Sequence, residues 1–345
     1  LGLQKIKNIY VLFYDGYPNK FVLDKVGFDN KKIRKLLIDN GFKLYDDIYS
    51  QCWKTTQSMS AFFDVDKTAN ETPRAILTGS NPALRFLRQR GYKTHYFLNG
   101  YLLSGSGRPL EGDYYFPQPA KNIRIEDVLW HNIKKGFFSQ APTSFSSCTA
   151  AEWVKTKQDL LRTAPRGPFF MYAHSGRPGH TVWNPNFREE NSIEVKKFIE
   201  KLKIANEEIE KDILLLKEQK DAIIIVAGDH GAYLLADSTD CDEKGLNALH
   251  LLDRYGTMLA IKWPEDYRSS IDLNILQDVF LEVMIYLTEE EGLTRFKCDG
   301  ETKVQGSFSV IPPGAIKNSL IQVGVDKGQN LFEASNSRLL GKDGQ

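Results

Sequence analysis

Carboxylates and histidines directly follow three apolar segments of this 345-residue chain. Asp15 follows the first segment, His174 and His180 follow the second, and Gly228-Asp229-His230-Gly231 follows the third. Carboxylate oxygens and imidazole nitrogens together form a hard-to-borderline ligand set that suits Zn²⁺ or Mn²⁺. The sequence therefore predicts a divalent-metal site if the fold brings the three segment ends together.

Each of these residues also has a structural interpretation. An Asp after a strand commonly caps a turn or helix, so Asp15 alone is weak evidence for a functional site. The Gly-Asp-His-Gly pattern is stronger, because flanking glycines keep both side chains at the end of a buried strand while the backbone turns. His174 and His180 could be ordinary loop histidines. His250, taken alone, fits a structural role and a functional role equally well. His95 and His131 fit structural positions in a strand and in an amphipathic helix.

The elements that must position these residues alternate along the chain. Apolar segments predict strands at 6–14, 92–97, 169–173, 222–227 and 258–262. Helical periodicity predicts helices at about 30–41, 82–91, 152–162, 191–219 and 273–287. This alternation predicts an α/β fold with a largely parallel central sheet flanked by helices. Ligands of such sheets bind beyond the carboxyl ends of the strands, where the polar clusters lie.

The last part of the chain has a different pattern. Strand-like pieces at 306–311 and 320–323 are separated by loops. We therefore expect a main α/β domain over residues 1–290 and a small C-terminal β-rich subdomain or tail over 291–345.

Composition and charge exclude some functions. Forty-five Lys and Arg against 44 Asp and Glu give a net charge of +1, so the chain lacks the basic footprint of a nucleic-acid-binding protein. No apolar segment reaches the ~20 residues of a membrane span. Four cysteines without CxxC spacing argue against a structural zinc site, and their even number permits disulfides without implying them.

The order of these motifs resembles the sulfatase-like branch of the alkaline phosphatase superfamily. The resemblance covers about residues 6–290: a strand ending in Asp15-Gly16, a Thr/Ser cluster, a strand followed by two histidines, a long helix, and the Asp-His-Gly motif. His250, followed by a strand that ends near Pro264, resembles the next element of the family. Asp-His-Gly is the most specific of these motifs.

The nucleophile separates the subfamilies within that branch. Formylglycine sulfatases use Cys or Ser in a Cys/Ser-x-Pro-x-Arg stretch, which this sequence lacks. The corresponding region, 52–63, resembles the Thr-x-x-Ser stretch of phosphoethanolamine and phosphoglycerol transferases. Matching its serine to Ser58 gives Thr55 as the nucleophile, with Thr56 as the next candidate and Ser58 itself as the third. A helix begins there, so its N–H groups would favour a phosphate, although either threonine could instead simply cap the helix.

The resemblance also implies the roles of the other site residues. Asp15, Thr55, Asp229 and His230 would hold one Zn²⁺ or Mn²⁺ ion, with Asp15 standing where the transferases usually have Glu. His180 and His250 would contact the transferred phosphate, protonate the leaving group or help to hold a second ion. His174 and Arg177 would support phosphate binding, as would Ser58.

The implied function is a metal-dependent transfer of phosphoethanolamine or phosphoglycerol from a phospholipid donor to an envelope glycan or lipid, through a phospho-threonine intermediate. The alternatives are a phosphodiesterase, phosphatase or sulfatase-like hydrolase on the same metal site, and a non-catalytic domain whose aromatic residues bind sugars. We expect an extracytoplasmic domain, periplasmic or on the outer face of the cytoplasmic membrane, with a membrane anchor upstream of Leu1. No nucleic-acid partner is expected.

Overall fold

A seven-stranded sheet forms the centre of the protein, with the order β2-β7-β6-β1-β5-β3-β4. The computed structural model describes residues 5–65, 73–98, 100–103, 110–118, 148–163, 167–179, 187–235, 245–269, 271–290, 293, 310–312 and 314–333. The strands are β1 Ile9–Tyr14, β2 Lys43–Leu44, β3 Lys93–Phe97, β4 Tyr114–Phe116, β5 Phe169–Ser175, β6 Ile223–Gly228 and β7 Leu259–Lys262. Of these seven strands, β7 alone runs opposite to the other six, which confirms the predicted α/β fold with a largely parallel sheet.

Helices cover both faces of this sheet. They are α1 Lys20–Lys25, α2 Lys31–Asp39, α3 Thr55–Phe63, α4 Pro73–Leu77, α5 Pro82–Gln89, α6 Gly100–Leu103, α7 Ala150–Thr163, α8 Phe187–Leu216, α9 Ala248–Tyr255 and α10 Val279–Thr288. A short 3-10 helix, Leu276–Asp278, precedes α10. Among the described residues, no helix combines the length and apolarity needed to cross a membrane.

The central strands are apolar throughout because both of their faces are buried. In β1, Tyr10, Leu12 and Tyr14 belong to one core cluster, and the alternate side chains, such as Val11, belong to the cluster on the opposite face. Successive side chains of a strand point to opposite faces, so two covered faces require a continuous apolar run.

Some element boundaries differ from the sequence-based predictions. The long helix begins at Phe187 rather than near Asn191. The helix predicted from Leu273 is wrong at its start, because Ile275 is extended and forms a bridge with Tyr49.

The C-terminal residues form a second, two-stranded antiparallel sheet of β8 Ile316–Lys317 and β9 Leu320–Ile321. Ile316 and Ile321 pack in the same core cluster as Leu12 of β1. The division of the chain at residue 290 stays a prediction.

A buried ionic cluster lies behind the carboxyl ends of β1 and β5. The Lys157 ammonium of α7 donates to Glu208 and Asp212 of α8, and all three side chains are buried. The Tyr14 hydroxyl donates to Asp212 at 2.8 Å, and the Ser175 hydroxyl to Glu208 at 3.3 Å. Because Tyr14 and Ser175 are paired at the last position of the two strands, this cluster fixes both strand ends against the helices.

Replacing Lys157 with Met is expected to lower the free energy of unfolding by about 3–5 kcal/mol, because two carboxylates would lose their buried counter-ion. Burial opposes the Lys157 charge, but the charges and hydrogen bonds of Asp212 and Glu208 outweigh it and raise the pKa of Lys157 above its ordinary 10.5. The resulting stabilisation is complete below pH 10.5 and is lost as pH rises through the raised folded-state pKa. Urea unfolding of wild type and variant from pH 7 to 11 measures both effects. A stability difference that persists undiminished beyond the Lys157 transition would contradict this assignment.

Candidate functional site

The polar residues that follow β6, β1 and β5 lie together because these three strands are adjacent and parallel. Tyr14, the last residue of β1, is paired with Gly228 on one side and with Ser175 on the other. Asp15 and Asp229 are the residues that come directly after this row. The common edge of the sheet thus brings together chain segments that are more than 200 positions apart.

Asp15, Asp229 and His230 form a cluster that could hold a metal ion. One ligand atom of each lies within 4.8 Å of the others. His230 Nε2 is 3.6 Å from Asp15 Oδ1 and 3.5 Å from Asp229 Oδ2. His230 Nδ1 lies 2.8 Å from the Gly231 carbonyl oxygen, to which its N–H donates, so Nε2 is left unprotonated toward the cluster. Two carboxylates and one neutral imidazole with a fixed tautomer fit a divalent cation.

Asp229 is held as a carboxylate by its neighbours. Its Oδ1 accepts the Gly16 backbone N–H at 2.8 Å, and its Oδ2 accepts the His174 Nε2–H at 3.2 Å. Burial opposes the charge, but the positive charge that the His230 and His174 rings carry when protonated, together with the His174 and Gly16 hydrogen bonds, lowers the pKa of Asp229. Burial disfavours the protonated form of His174, but the hydrogen bond and the charge of Asp229 outweigh this effect and raise the pKa of His174. His174 therefore contacts Asp229, one of the three residues of the cluster, and its predicted support of phosphate binding stays a prediction.

Both glycines around Asp229 and His230 are required by close backbone packing. A Cβ atom on Gly231 would lie 2.1 Å from the Asp253 carbonyl oxygen, and one on Gly228 would lie 2.2 Å from the Tyr17 carbonyl oxygen. The Gly231 N–H donates to the Arg254 carbonyl oxygen at 2.9 Å across this contact. Gly231 thus lets the chain after the two candidate ligands approach the end of α9, and Gly228 lets the end of β6 approach the backbone of Tyr17.

Gly231→Ala is therefore expected to destabilise the fold by about 1–3 kcal/mol, because backbone atoms at the end of α9 cannot move independently to admit the methyl group. Gly176→Ala is the matched control, since apart from its two chain neighbours no residue has an atom within 4 Å of its Cβ position. That variant should stay within about 0.5 kcal/mol of wild type. Denaturant unfolding of both proteins measures the difference, and equal stabilities would contradict the steric argument.

Thr55 lies beside this cluster at the start of α3. Its hydroxyl donates to His230 Nε2 at 3.2 Å. The N-cap residue of α3 is Lys54, and Thr55 is the first helical residue, so its hydroxyl does not occupy the N-cap position. The helix begins one residue before Thr56, and its N-terminal N–H groups favour negative charge there.

Ser58 is fully buried behind Asp229. Its hydroxyl donates to the Asp229 carbonyl oxygen at 2.6 Å and lies 2.8 Å from the Ser50 hydroxyl. Gln277 completes this network: its amide N–H₂ group donates to Ser50 and Ser58, and its carbonyl accepts the Gln51 N–H at 2.9 Å. This placement favours a role in holding α3 against β6 over the phosphate contact predicted for Ser58.

The remaining predicted residues surround the cluster less directly. Arg177 is about one-third exposed, and its guanidinium lies 3.9 Å from Glu208. Its loop is joined to the metal cluster through the backbone, because the Gly179 N–H donates to the Asp15 carbonyl oxygen at 2.8 Å. His250 is in the first turn of α9, where Asn247 caps the helix; the three-residue ligand cluster of the described chain does not include it. His180 lies outside the described residues, as does His131.

Cysteine chemistry does not fit the site. Cys52 is buried, and burial raises the pKa of its thiol to about 12. Cys148 precedes α7, and its thiol pKa is also raised, mainly by burial and further by Glu152. Both are free cysteines, and Cys241 and Cys298 lie outside the described residues. Neither described thiol is an activated nucleophile.

The sequence model of the sulfatase family matches residues 24–268, and the chain belongs to this family. A structure of a 2-O GAG sulfatase is similar with a TM-score of 0.51 and 11% identity, over 83% of this chain and 71% of that one. A structure from Bacteroides thetaiotaomicron, described in connection with the metabolism of multiple glycosaminoglycans, is similar with a TM-score of 0.51 and 14% identity, over 86% of this chain and 74% of that one. The C-terminal periplasmic domain of EcEptC from Escherichia coli is similar with a TM-score of 0.48 and 12% identity, over 83% of this chain and 82% of that one. A search of curated proteins with the whole sequence found no match.

These similarities establish the family and the fold, an α/β enzyme fold of the alkaline phosphatase superfamily. At such low identity they leave the reaction open.

Proposed function

We propose that this protein is a metal-dependent phospho-headgroup transferase that moves phosphoethanolamine or phosphoglycerol from a phospholipid to an envelope glycan or lipid. The observation that carries the proposal is the position of Thr55, whose hydroxyl lies 3.2 Å from His230 Nε2 at the start of a helix. A threonine beside a candidate metal cluster is suited to covalent catalysis.

The proposed ligands are Asp15, Asp229, His230 and the Thr55 hydroxyl, and the proposed ion is Zn²⁺ or Mn²⁺. A bound divalent ion would supply positive charge that lowers the pKa of a coordinated hydroxyl and stabilises charge on the phosphoryl oxygens. The two carboxylates and the fixed His230 tautomer support this ligand set.

The reaction would proceed in two displacements. In the first, the Thr55 hydroxyl loses its proton and its oxygen bonds to phosphorus, while the bond from phosphorus to the diacylglycerol oxygen breaks and that oxygen takes a proton. In the second, a hydroxyl of the acceptor loses its proton and its oxygen bonds to phosphorus, while the Thr55–phosphorus bond breaks and the Thr55 oxygen takes a proton. His180 and His250 stay the predicted proton donors, and Arg177 the predicted contact for phosphate charge.

The main alternative is hydrolysis on the same site, in which water takes the place of the acceptor. A phosphodiesterase or phosphatase would use the same Thr55 adduct. A formylglycine-type sulfatase is less well supported, because the nearest cysteine, Cys52, is buried with a raised thiol pKa. A non-catalytic sugar-binding domain would need neither the ligand cluster nor the position of Thr55.

The partners follow from the proposed chemistry. A phospholipid donor requires the domain to work at a membrane surface, and we propose that it does so outside the cytoplasm, held by an anchor in the full-length protein. Nucleic acid is not a proposed partner, because the net charge is close to zero.

Mass spectrometry of the protein after incubation with phosphatidylethanolamine or phosphatidylglycerol tests the proposal. A headgroup mass on the peptide containing Thr55, absent from a Thr55→Ala control, would support both the nucleophile and the donor. A phosphodiester that is hydrolysed without accumulation of the adduct, because water resolves it quickly, would favour the hydrolase instead. Metal-loaded protein that neither forms an adduct nor hydrolyses a chromogenic phosphodiester would count against an active enzyme with these substrates.

A further inference from the structure

Tyr233 has an unusual backbone conformation next to the candidate metal cluster. Its φ is +57°, in the left-handed region that bulky residues rarely adopt. The surrounding contacts impose this conformation: the Tyr233 N–H donates to the Asp253 carbonyl oxygen, and the Asp253 carboxylate accepts the N–H groups of Leu234 and Leu235 at 2.7 and 2.9 Å. Strained residues that are held in place in this way are concentrated at functional sites.

The Tyr233 side chain contacts both His230 and the segment that precedes Thr55. Its ring lies against the His230 imidazole, with the centroids 5.6 Å apart and the planes 30° apart. Its hydroxyl donates to the backbone carbonyl of Trp53, two residues before Thr55. Its ring also meets the Trp53 indole edge-to-face at 5.5 Å. One side chain therefore links the metal ligand His230 to the segment that carries Thr55.

The Trp53 side of this link has further support. The buried Arg254 guanidinium lies 5.2 Å from the Trp53 ring centroid, at a distance typical of a cation–π contact. Arg254 lies in the last turn of α9, and its backbone carbonyl accepts the Gly231 N–H. The segment before Thr55 and the loop after His230 are thus packed against one another through aromatic and cationic side chains.

We propose that Tyr233 is a positioning residue that sets the relative placement of Thr55 and His230. This inference rests on the proposed function, because it gives Thr55 the role of nucleophile. The ring restricts the rotation of the imidazole, so it should matter for metal affinity. The hydroxyl fixes the segment before Thr55, so it should matter for the chemical step. A displacement of about 1 Å at a reacting group can cost ~100-fold in rate.

Tyr233→Phe and Tyr233→Leu separate these two effects. The Phe variant keeps the ring and loses the hydroxyl, so we expect kcat for a chromogenic phosphodiester to fall by about 10- to 100-fold while the Zn²⁺ affinity stays within about threefold. The Leu variant also loses the ring, so its Zn²⁺ affinity should fall by a further ~10-fold. Zn²⁺ affinity is measured by competition with a chromogenic chelator, independently of turnover.

Tyr92→Phe is the matched control. The Tyr92 hydroxyl also donates to a backbone carbonyl, that of Lys7 at 2.8 Å, but at the amino ends of β1 and β3, away from the site. Its loss should change stability without changing kcat. If wild type binds Zn²⁺ and turns over but Tyr233→Phe has the same kcat, or if Tyr92→Phe loses as much, this inference is wrong while the proposed function stands. If wild type neither binds Zn²⁺ nor turns over, the proposed function itself fails, and this inference with it.

Discussion

Replacing His230 with Ala is expected to remove both bound metal and activity from a protein that still folds. The cluster of Asp15, Asp229 and His230, as the described residues form it, would keep two carboxylates but lose its imidazole nitrogen, so affinity for Zn²⁺ should fall by more than ~100-fold, beyond the ~10- to 100-fold typical of residues that only support a ligand. The metal content of the purified protein and its turnover of a phosphodiester measure the two losses.

Asp229 needs a more conservative change for the same test. Alanine would leave the Gly16 N–H and the His174 imidazole without their buried acceptor, so Asp229→Ala could lose metal by unfolding. Asp229→Asn keeps the shape and one acceptor oxygen but removes the charge, and it should also lose metal. Circular dichroism establishes whether each variant folds.

His95→Gln is the control for removing a histidine. His95 lies within β3, where its ring stacks on Tyr114 at 5.0 Å, and it is not part of the ligand cluster. Its replacement should leave metal content and turnover unchanged. Full metal occupancy in the folded His230 and Asp229 variants would contradict the assignment of these residues as metal ligands.

The sequence was informative where side chains are placed by the topology of the sheet. Asp15 and Asp229 each follow a continuous apolar strand, and parallel strands necessarily end at the same edge. The prediction that these polar segments meet could therefore be made without knowledge of any contact. The same argument holds for the fold, because strands and helices alternate with clear periods over most of the chain.

The supporting residues could not be predicted in this way. Gln277 contacts Gln51 across 226 positions, and the local pattern around it shows only a buried helix. Tyr233 owes its role to a left-handed backbone that no residue preference indicates, because a tyrosine there is unfavourable. Ser58 was matched by motif spacing to a phosphate contact, but the turn of α3 directs its hydroxyl to the Asp229 carbonyl. Tertiary packing determines all three placements.

Thr55→Ala is expected to lose turnover while keeping the fold and most of the metal. Removing a covalent nucleophile should lower kcat by more than ~1,000-fold, because the remaining site can still bind and polarise the substrate but cannot form the adduct. The Thr55 hydroxyl contacts the cluster through His230 Nε2, whereas Asp15, Asp229 and His230 would all remain. Metal content close to that of wild type, together with the loss of the headgroup adduct, is the expected combination.

Two neighbouring variants make this test specific. Thr55→Ser keeps a hydroxyl at the start of α3 and should retain measurable turnover, with the headgroup adduct on a peptide that is lighter than the wild-type peptide by a single CH₂ group. Thr56→Ala removes the adjacent hydroxyl of the same helical turn and should leave turnover within about threefold of wild type. If Thr56→Ala is the inactive variant and Thr55→Ala is active, the nucleophile is displaced by one residue. In that case the contact between Thr55 and His230 serves only to position the helix.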